Sequence, residues 1–205
     1  MTLQVFVVAF IVSFFGSIPP GTINITVMQM GVQGKIRAAY FLVVGACIVE
    51  FFYALLVVRF QIFLNNNLTF THHFTLITGL VLTALGLYSI FSKSSSSSIK
   101  VNTGAKGRTG FLKGIILGFL NPLAVPFWLA VTAYLQQNQW IKLTGPGFWA
   151  YLFGIFLGSV IVLFLAVRLG NRFTRISDNR LLVHVLPGAA FLTLGIYNFY
   201  QWAIQ

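Results

Sequence analysis

Residues 16–21 read GSIPPG and interrupt an apolar run that extends from Leu3 to Met30. Proline removes a backbone N–H donor and clashes with the preceding helical turn, so a helix through this run should break at Pro19-Pro20-Gly21. In a membrane, such non-helical backbone is tolerated only where it is buried in protein or lines a water-filled cavity. Its freed amides and carbonyls, together with the helix ends, can bind charged or polar groups.

A second apolar run, residues 111–135, is interrupted at Asn121-Pro122, and Pro126 predicts a further disturbance. The side chains beside the two breaks that can form hydrogen bonds are Thr22, Asn24 and Asn121. Two kinked packing helices without a ligand are the alternative. Paired breaks at corresponding places favour a binding function.

The composition excludes an ordinary water-soluble enzyme. Hydrophobic residues make up 58% of the 205 residues and only 7% are charged, against about 25% in a soluble domain. The formal net charge is +11, but the cations fall in short loops between apolar runs, which indicates membrane topology and not a nucleic-acid-binding face. Cys47 is the single cysteine, so an intrachain disulfide is excluded.

Six apolar runs approach the ~20 residues that a membrane-spanning helix needs. They are continuous rather than alternating, so they predict helices and not strands. The predicted spans are Leu3–Met30, Tyr40–Val58, Phe74–Phe91, Phe111–Leu135, Phe148–Val167 and Leu181–Trp202. The predicted fold class is an all-α, polytopic membrane protein with six transmembrane helices, of which helices 1 and 4 are broken.

The Lys and Arg residues are distributed unequally among the loops. Eleven of the thirteen lie in the first, third and fifth loops, and only Arg59 and Lys142 lie in the other two. Because cytoplasmic loops carry the excess of positive charge, the odd-numbered loops are predicted in the cytoplasm and both termini outside it. The cytoplasmic cations would then face anionic lipids.

The two halves of the chain share a pattern at a constant offset of 109 residues. The matched residues are Gly45, Glu50, Arg59, Gly79, Gly86, Leu87 and Tyr88 with Gly154, Ser159, Arg168, Gly188, Gly195, Ile196 and Tyr197. We expect two three-helix repeats, residues 1–92 and 111–205, joined by a Ser-rich basic cytoplasmic linker at residues 93–110. Since each repeat crosses the membrane an odd number of times, the repeats must be inverted, which is a known transporter architecture.

Glu50 is the only acid in a predicted span. A charged side chain at the bilayer centre costs about 2.5–3.5 kcal/mol on insertion scales, so Glu50 should face the bundle interior. Tyr53 offers a hydroxyl nearby. We expect Glu50 to hold a substrate ammonium group or to carry a proton, and a structural hydrogen bond between helices is the alternative.

Four tryptophans and two glycine pairs predict features of the outer surface. Trp128, Trp140, Trp149 and Trp202 fit the aromatic belts of membrane interfaces. The spacings from Gly114 to Gly118 and from Gly154 to Gly158 are typical of close helix contacts and are weak evidence for a homodimer.

These motifs resemble the LysE-type (lysine-exporter-type) translocator family over nearly the whole chain. The resemblance is carried by Gly16-Ser-Ile-Pro-Pro-Gly21, by Gly45 with Glu50, and by Phe111-Leu-Lys-Gly114 leading to Asn121-Pro122. The family has Pro-Gly-Pro after the first helix and an Asp five residues after the glycine, so Thr22 and Glu50 depart from its pattern. The resemblance implies an exporter of amino acids and related metabolites in the bacterial inner membrane, driven by the proton gradient.

The leading hypothesis is a proton-coupled exporter of a small amine or zwitterionic metabolite that works by alternating access. Its site residues would be Glu50, Pro19, Pro20, Gly21, Thr22, Asn24, Tyr53, Asn121 and Pro122. One alternative is an ion or metal carrier on the same scaffold, although such a site usually needs clustered carboxylates, His or Cys. The other is a non-transporting membrane scaffold or assembly protein. Catalysis is not expected, because no Ser-His-Asp set or acid pair lies at membrane depth, and neither a cofactor nor a bound metal is expected.

Overall fold

The computed structural model describes residues 1–18, 21–65, 68–91, 107–121, 124–170, 181 and 185–204. Every regular element within these residues is a helix, as the continuous apolar runs predict. The helices are α1 (Thr2–Gly16), α2 (Thr22–Val32), α3 (Ile36–Asn65), α4 (Leu68–Phe91), α5 (Gly107–Phe119), α6 (Ala124–Gln137), α7 (Pro146–Arg168) and α8 (Leu186–Ile204). The all-α class is therefore confirmed.

Two of the described helices are individually long and apolar enough to cross a membrane. They are Ile36–Phe63 within α3 and the whole of α7. A third candidate consists of α5 and α6 taken together, which are bent by 64° at the predicted break. α1 and the Thr75–Phe91 part of α4 are apolar but shorter. The described residues thus contain two or three candidate spans, and the count of six remains a prediction.

The first apolar run is interrupted where the sequence predicts. α1 ends at Gly16 and α2 begins at Thr22, and Pro19 and Pro20 lie outside the described residues. The amide of Ser17 donates to the carbonyl of Ser13, which closes α1 at its last turn. The two helices are consequently separate elements within one apolar run.

The second run is interrupted once, not twice. α5 ends at Phe119 and α6 begins at Ala124, with Pro122 outside the described residues. The predicted disturbance at Pro126 is wrong, because Pro126 is the third residue of α6. The first N–H groups of a helix have no intrahelical partner, so a proline in the first turn removes no hydrogen bond.

The remaining boundaries extend or shorten the predicted spans by a few residues. α3 and α4 start earlier than predicted, at Ile36 and Leu68, whereas α8 starts later, at Leu186. Residues 93–106, most of the predicted linker at 93–110, lie outside the described residues.

α3 and α7 form the centre of the fold and run antiparallel. The Arg168 guanidinium, at the end of α7, donates to the Tyr40 hydroxyl near the start of α3 at 2.8 Å. At the opposite end of the pair, the Arg59 guanidinium lies 4.9 Å from the centre of the Phe148 ring. The two larger buried hydrophobic clusters of the described bundle contain residues of α3 and of α7.

Each central helix has a parallel neighbour that approaches it through glycines. A Cβ atom at Gly114 of α5 would overlap the Leu42 carbonyl oxygen of α3, and one at Gly154 of α7 would lie 2.6 Å from the Phe6 carbonyl oxygen of α1. Small residues permit this close backbone contact in membrane helices. The glycine spacings that suggested a homodimer are therefore used inside the chain, and they no longer support that prediction.

α4 and α8 form an antiparallel pair at the side of the bundle. A Cβ atom at Gly86 would lie 2.8 Å from the Gly188 carbonyl oxygen, and one at Gly195 would lie 3.2 Å from the Gly79 carbonyl oxygen. The pair packs on α6 through a small cluster that includes Leu82, Ala130 and Phe191.

Candidate functional site

Glu50 lies at the middle of α3 and faces the bundle interior, as predicted. Its carboxyl oxygen Oε1 accepts a hydrogen bond of 3.2 Å from the indole Nε1 of Trp128, on α6. Trp128 is 1% exposed. The assignment of Trp128 to an interfacial aromatic belt is thus wrong, because its ring is buried against Glu50 and the inner faces of the helices.

A group of serines completes the surroundings of Glu50. The Ser159 side chain on α7 lies beside the Glu50 carboxyl. The Ser159 hydroxyl also lies 2.8 Å from the Ser13 hydroxyl and 3.2 Å from the Ser17 hydroxyl, both at the end of α1. Ser13 in turn donates to the Ile155 carbonyl at 2.7 Å. We call Glu50, Trp128, Ser13, Ser17 and Ser159 the central polar cluster.

In the central polar cluster, the buried polar groups form hydrogen bonds with uncharged partners. Ser13 and Ser159 are fully buried, and unpaired polar groups cost free energy in such surroundings. Hydroxyls both donate and accept, so they can adjust to a carboxyl group in either protonation state or to a bound ligand. The cluster is the most polar part of the helix core, and it joins α1, α3, α6 and α7.

The first break borders this cluster. The Asn24 side-chain amide donates to the Ser17 carbonyl at 2.7 Å and so satisfies a carbonyl group that α1 leaves free at its end. Gly21 caps the N-terminus of α2. Thr22 is exposed, and its carbonyl accepts from the Thr26 hydroxyl. Of the predicted residues at this break, Asn24 is therefore connected to the cluster through Ser17.

The second break borders α3 from the other side. The Tyr53 hydroxyl donates to the Phe119 carbonyl at the end of α5, at 3.1 Å. The backbone amide of Asn121 donates to the Gly118 carbonyl at 3.2 Å, which closes a turn just after the end of α5. Tyr53 therefore lies next to the break, as the sequence indicates, and ties α3 to it.

A second polar contact joins α3 and α6 beyond Trp128. The Gln61 amide donates to the Leu129 carbonyl at 2.7 Å, and its side-chain oxygen accepts from Gln136 at 3.0 Å. Gln61 is 4% exposed. These bonds position α6, the helix that carries Trp128, along one face of α3.

Sequence reasoning missed four members of the central polar cluster. Ser159 was recognised only as the counterpart of Glu50 at the offset of 109 residues, and Trp128 only as an aromatic belt residue. Ser17 was recognised only as part of the GSIPPG break, and Ser13 carries no signal in the sequence beyond being a small polar residue in an apolar run. Their role depends on the parallel contact of α1 with α7, which no local pattern encodes. Among the described residues, no three His, Cys, Asp or Glu side chains lie together as a metal site would require.

The sequence model of the LysE type translocator family matches residues 14–201, which is nearly the whole chain. No curated protein and no solved structure matches the chain. The chain belongs to the LysE type translocator family.

Proposed function

We propose that this member of the LysE type translocator family is a proton-coupled secondary transporter that exports amino acids or related small amine or zwitterionic metabolites. The observation that carries the proposal is the central polar cluster, in which the lone acid of the described helices lies inside the bundle beside two broken runs. An intramembrane acid is costly, and it is a functional-site hypothesis by default. A merely structural contact would not require a carboxyl group there.

We further propose that the chain consists of two inverted repeats. Support comes from the contacts between matched residues. Gly86 approaches Gly188, the match of Gly79, while Gly79 approaches Gly195, the match of Gly86. Such a reciprocal pattern is what two-fold symmetry generates at a contact between equivalent elements.

Glu50 and Ser159 relate the proposed two-fold symmetry to the candidate site. They are matched residues at the offset of 109, and they lie beside each other. Equivalent residues of two repeats can meet only near the two-fold axis. In alternating access, the repeats exchange conformations around a fixed site, so a site on the axis stays in place while its access changes from one side to the other.

The directions of the helices are compatible with six crossings. α1 runs parallel to α7, α3 runs parallel to α5, and the two central helices are antiparallel, as six crossings require whichever side the termini face. The inner membrane of a bacterium is the location that the family resemblance implies. Arg168 and Tyr40 would then lie towards the cytoplasm, and Arg59 and Phe148 towards the outside.

The proposed substrate class follows from the partners at the site. A carboxylate attracts an ammonium group, and the hydroxyls of Ser13, Ser17 and Ser159 can accept further N–H bonds. The break that Asn24 borders and the one that Tyr53 borders would hold the other polar end of a zwitterion. Pro19, Pro20, Gly21, Thr22, Asn121 and Pro122 would shape these two breaks.

Export by purified protein in proteoliposomes tests the proposal. Vesicles loaded with a labelled amino acid panel should release at least one compound faster than empty-lipid controls, and a pH gradient should change the rate. Glu50→Gln should abolish the effect of the gradient. Asp178→Asn removes the only other acid of the chain and should leave export unchanged. Export by Glu50→Gln that still responds fully to the pH gradient would contradict the proposal.

A further inference from the structure

The central polar cluster holds one carboxyl group where its symmetry offers two positions. Glu50 and Ser159 are matched residues, and their side chains lie beside each other. The position opposite Glu50 is thus a neutral hydroxyl. The chain has one other acid, Asp178, which lies 19 residues beyond Ser159 in the sequence and outside the described residues.

We infer that Glu50 binds either one proton or one substrate ammonium group, and never both, so that the protein exchanges them one for one across the membrane. The inference rests on the proposed function and deepens it by fixing the stoichiometry and the charge of the substrate. A protonated carboxyl is neutral and no longer attracts a cation. Departure of the ammonium group leaves a carboxylate, which then takes up a proton from the side to which the site is open.

Within the part of the chain that the structure describes, the other groups around Glu50 do not offer a second charge. On α3 itself, the titratable neighbours are Cys47 and Tyr53, and on α7 the nearest is Tyr151, whose hydroxyl bonds Thr132 at 2.8 Å. Thiol and phenol groups are uncharged near neutral pH. α1 and α6 contribute only hydroxyls and the Trp128 indole to the cluster.

The nearest cations on the central helices are distant. Arg59 and Arg168 each lie nine residues along the helix from Glu50 and Ser159 respectively, which corresponds to about 13 Å at the helical rise. Both guanidinium groups are held by aromatic partners at the opposite ends of the pair. The cluster therefore takes a single positive charge, and a monoamine matches it better than a diamine does.

Proton release on binding of propylamine tests the stoichiometry in the native protein. Titration calorimetry in two buffers of different ionisation enthalpy, repeated over a series of pH values, should give a release that rises towards one proton per propylamine as the pH is lowered. The apparent Kd should rise by about tenfold per pH unit in the same range, because proton and amine compete for one group. Leucinamide should behave in the same way.

Ser159→Asp tests whether the single carboxyl group sets the number of protons released per amine bound. The variant places a second carboxyl at the matched position, so release should approach two protons, and affinity for 1,3-diaminopropane relative to propylamine should rise by about tenfold or more. Ser159→Ala is the matched control, since it removes the hydroxyl without adding charge and should keep the release at one. If Ser159→Asp does not fold, the proton release measured with the native protein tests the inference by itself.

The outcomes separate this inference from the proposed function. Binding of propylamine without proton release, a release near two in the native protein, or failure of both monoamines to bind overturns the inference, and Glu50-dependent export would still stand. Loss of the Glu50 dependence of export overturns the proposed function instead. A release near one in the native protein and none in Glu50→Gln supports the inference.

Discussion

The indole of Trp128 donates to the carboxyl of Glu50 across 3.2 Å, and this bond ties the helix after the second break to the centre of α3. The two residues are 78 positions apart in the sequence. A movement of α6 would therefore change the hydrogen bond to Glu50. A change in the charge of Glu50 would in turn change the strength of the bond that holds α6.

We expect Trp128→Phe to weaken this coupling. The phenyl ring keeps most of the buried apolar contact but lacks the N–H donor, so the variant should lose about 1.5–3 kcal/mol of stability, the usual contribution of a hydrogen bond to a charged group. In a double-mutant cycle with Glu50→Leu, which has no acceptor for the indole N–H, the two losses should not add. Thermal unfolding in detergent measures both. Trp149→Phe, at an exposed site, is the control, and full additivity in the cycle would argue against the bond.

Removal of the polar anchor between α3 and α6 should destabilise the bundle. Gln61→Ala leaves the Gln136 side chain without its described acceptor on α3 and removes the bond to the Leu129 carbonyl. We expect a loss of about 1–3 kcal/mol, because two hydrogen bonds of the buried Gln61 side chain are lost. Chemical denaturation of the reconstituted protein measures it. Gln33→Ala, at an exposed position, should change stability by less than about 0.5 kcal/mol; an equal loss in both variants would contradict the prediction.

Glycine packing between α3 and α5 should tolerate no added side chain. In Gly114→Val, the new atoms would overlap the Leu42 carbonyl, and relief of such overpacking costs about 1–3 kcal/mol or more. We expect a lower yield of monodisperse protein and a lower melting temperature. Leu112→Ala, on the exposed face of the same helix, serves as the comparison. An unaltered melting temperature for Gly114→Val would mean that the two helices do not approach as described.

The Asn24 amide should matter for transport as well as for folding. Asn24→Ala removes the donor to the Ser17 carbonyl at the first break, so the chain beside the central polar cluster loses its fixed geometry. We expect a stability loss of about 1 kcal/mol together with a lower rate of export in proteoliposomes. Thr193→Ala, on an exposed part of α8, is a matched polar control. Normal export by Asn24→Ala would remove Asn24 from the site.

Thiol labelling tests the topology. Native Cys47 is buried, so it should react slowly with an impermeant maleimide. Thr2→Cys should be labelled in intact spheroplasts, whereas Arg37→Cys should be labelled only after lysis, because the termini are predicted outside and the first loop inside. Labelling of Arg37→Cys in intact spheroplasts would reverse the orientation and leave the fold unaffected.

The sequence determined the features that depend on local chemistry. Long apolar runs can satisfy their backbone groups in lipid only as helices, and prolines end helices at GSIPPG and near Asn121. Glu50 was identifiable because an acid within an apolar run must be buried away from lipid. Pro126 misled the local argument, since its effect depends on whether it falls in the first turn of a helix or later.

Only the tertiary structure determined which side chains surround Glu50. Ser13 and Ser159 are 146 residues apart in the sequence, and no helical periodicity links them. They meet because α1 and α7 approach through Gly154 and Gly158. Small residues permit such an approach but do not determine which helix packs against them. The neighbour of each helix therefore depends on the packing of the whole bundle. For the same physical reason, Trp128 could be placed beside the acid only once α6 had been placed against α3.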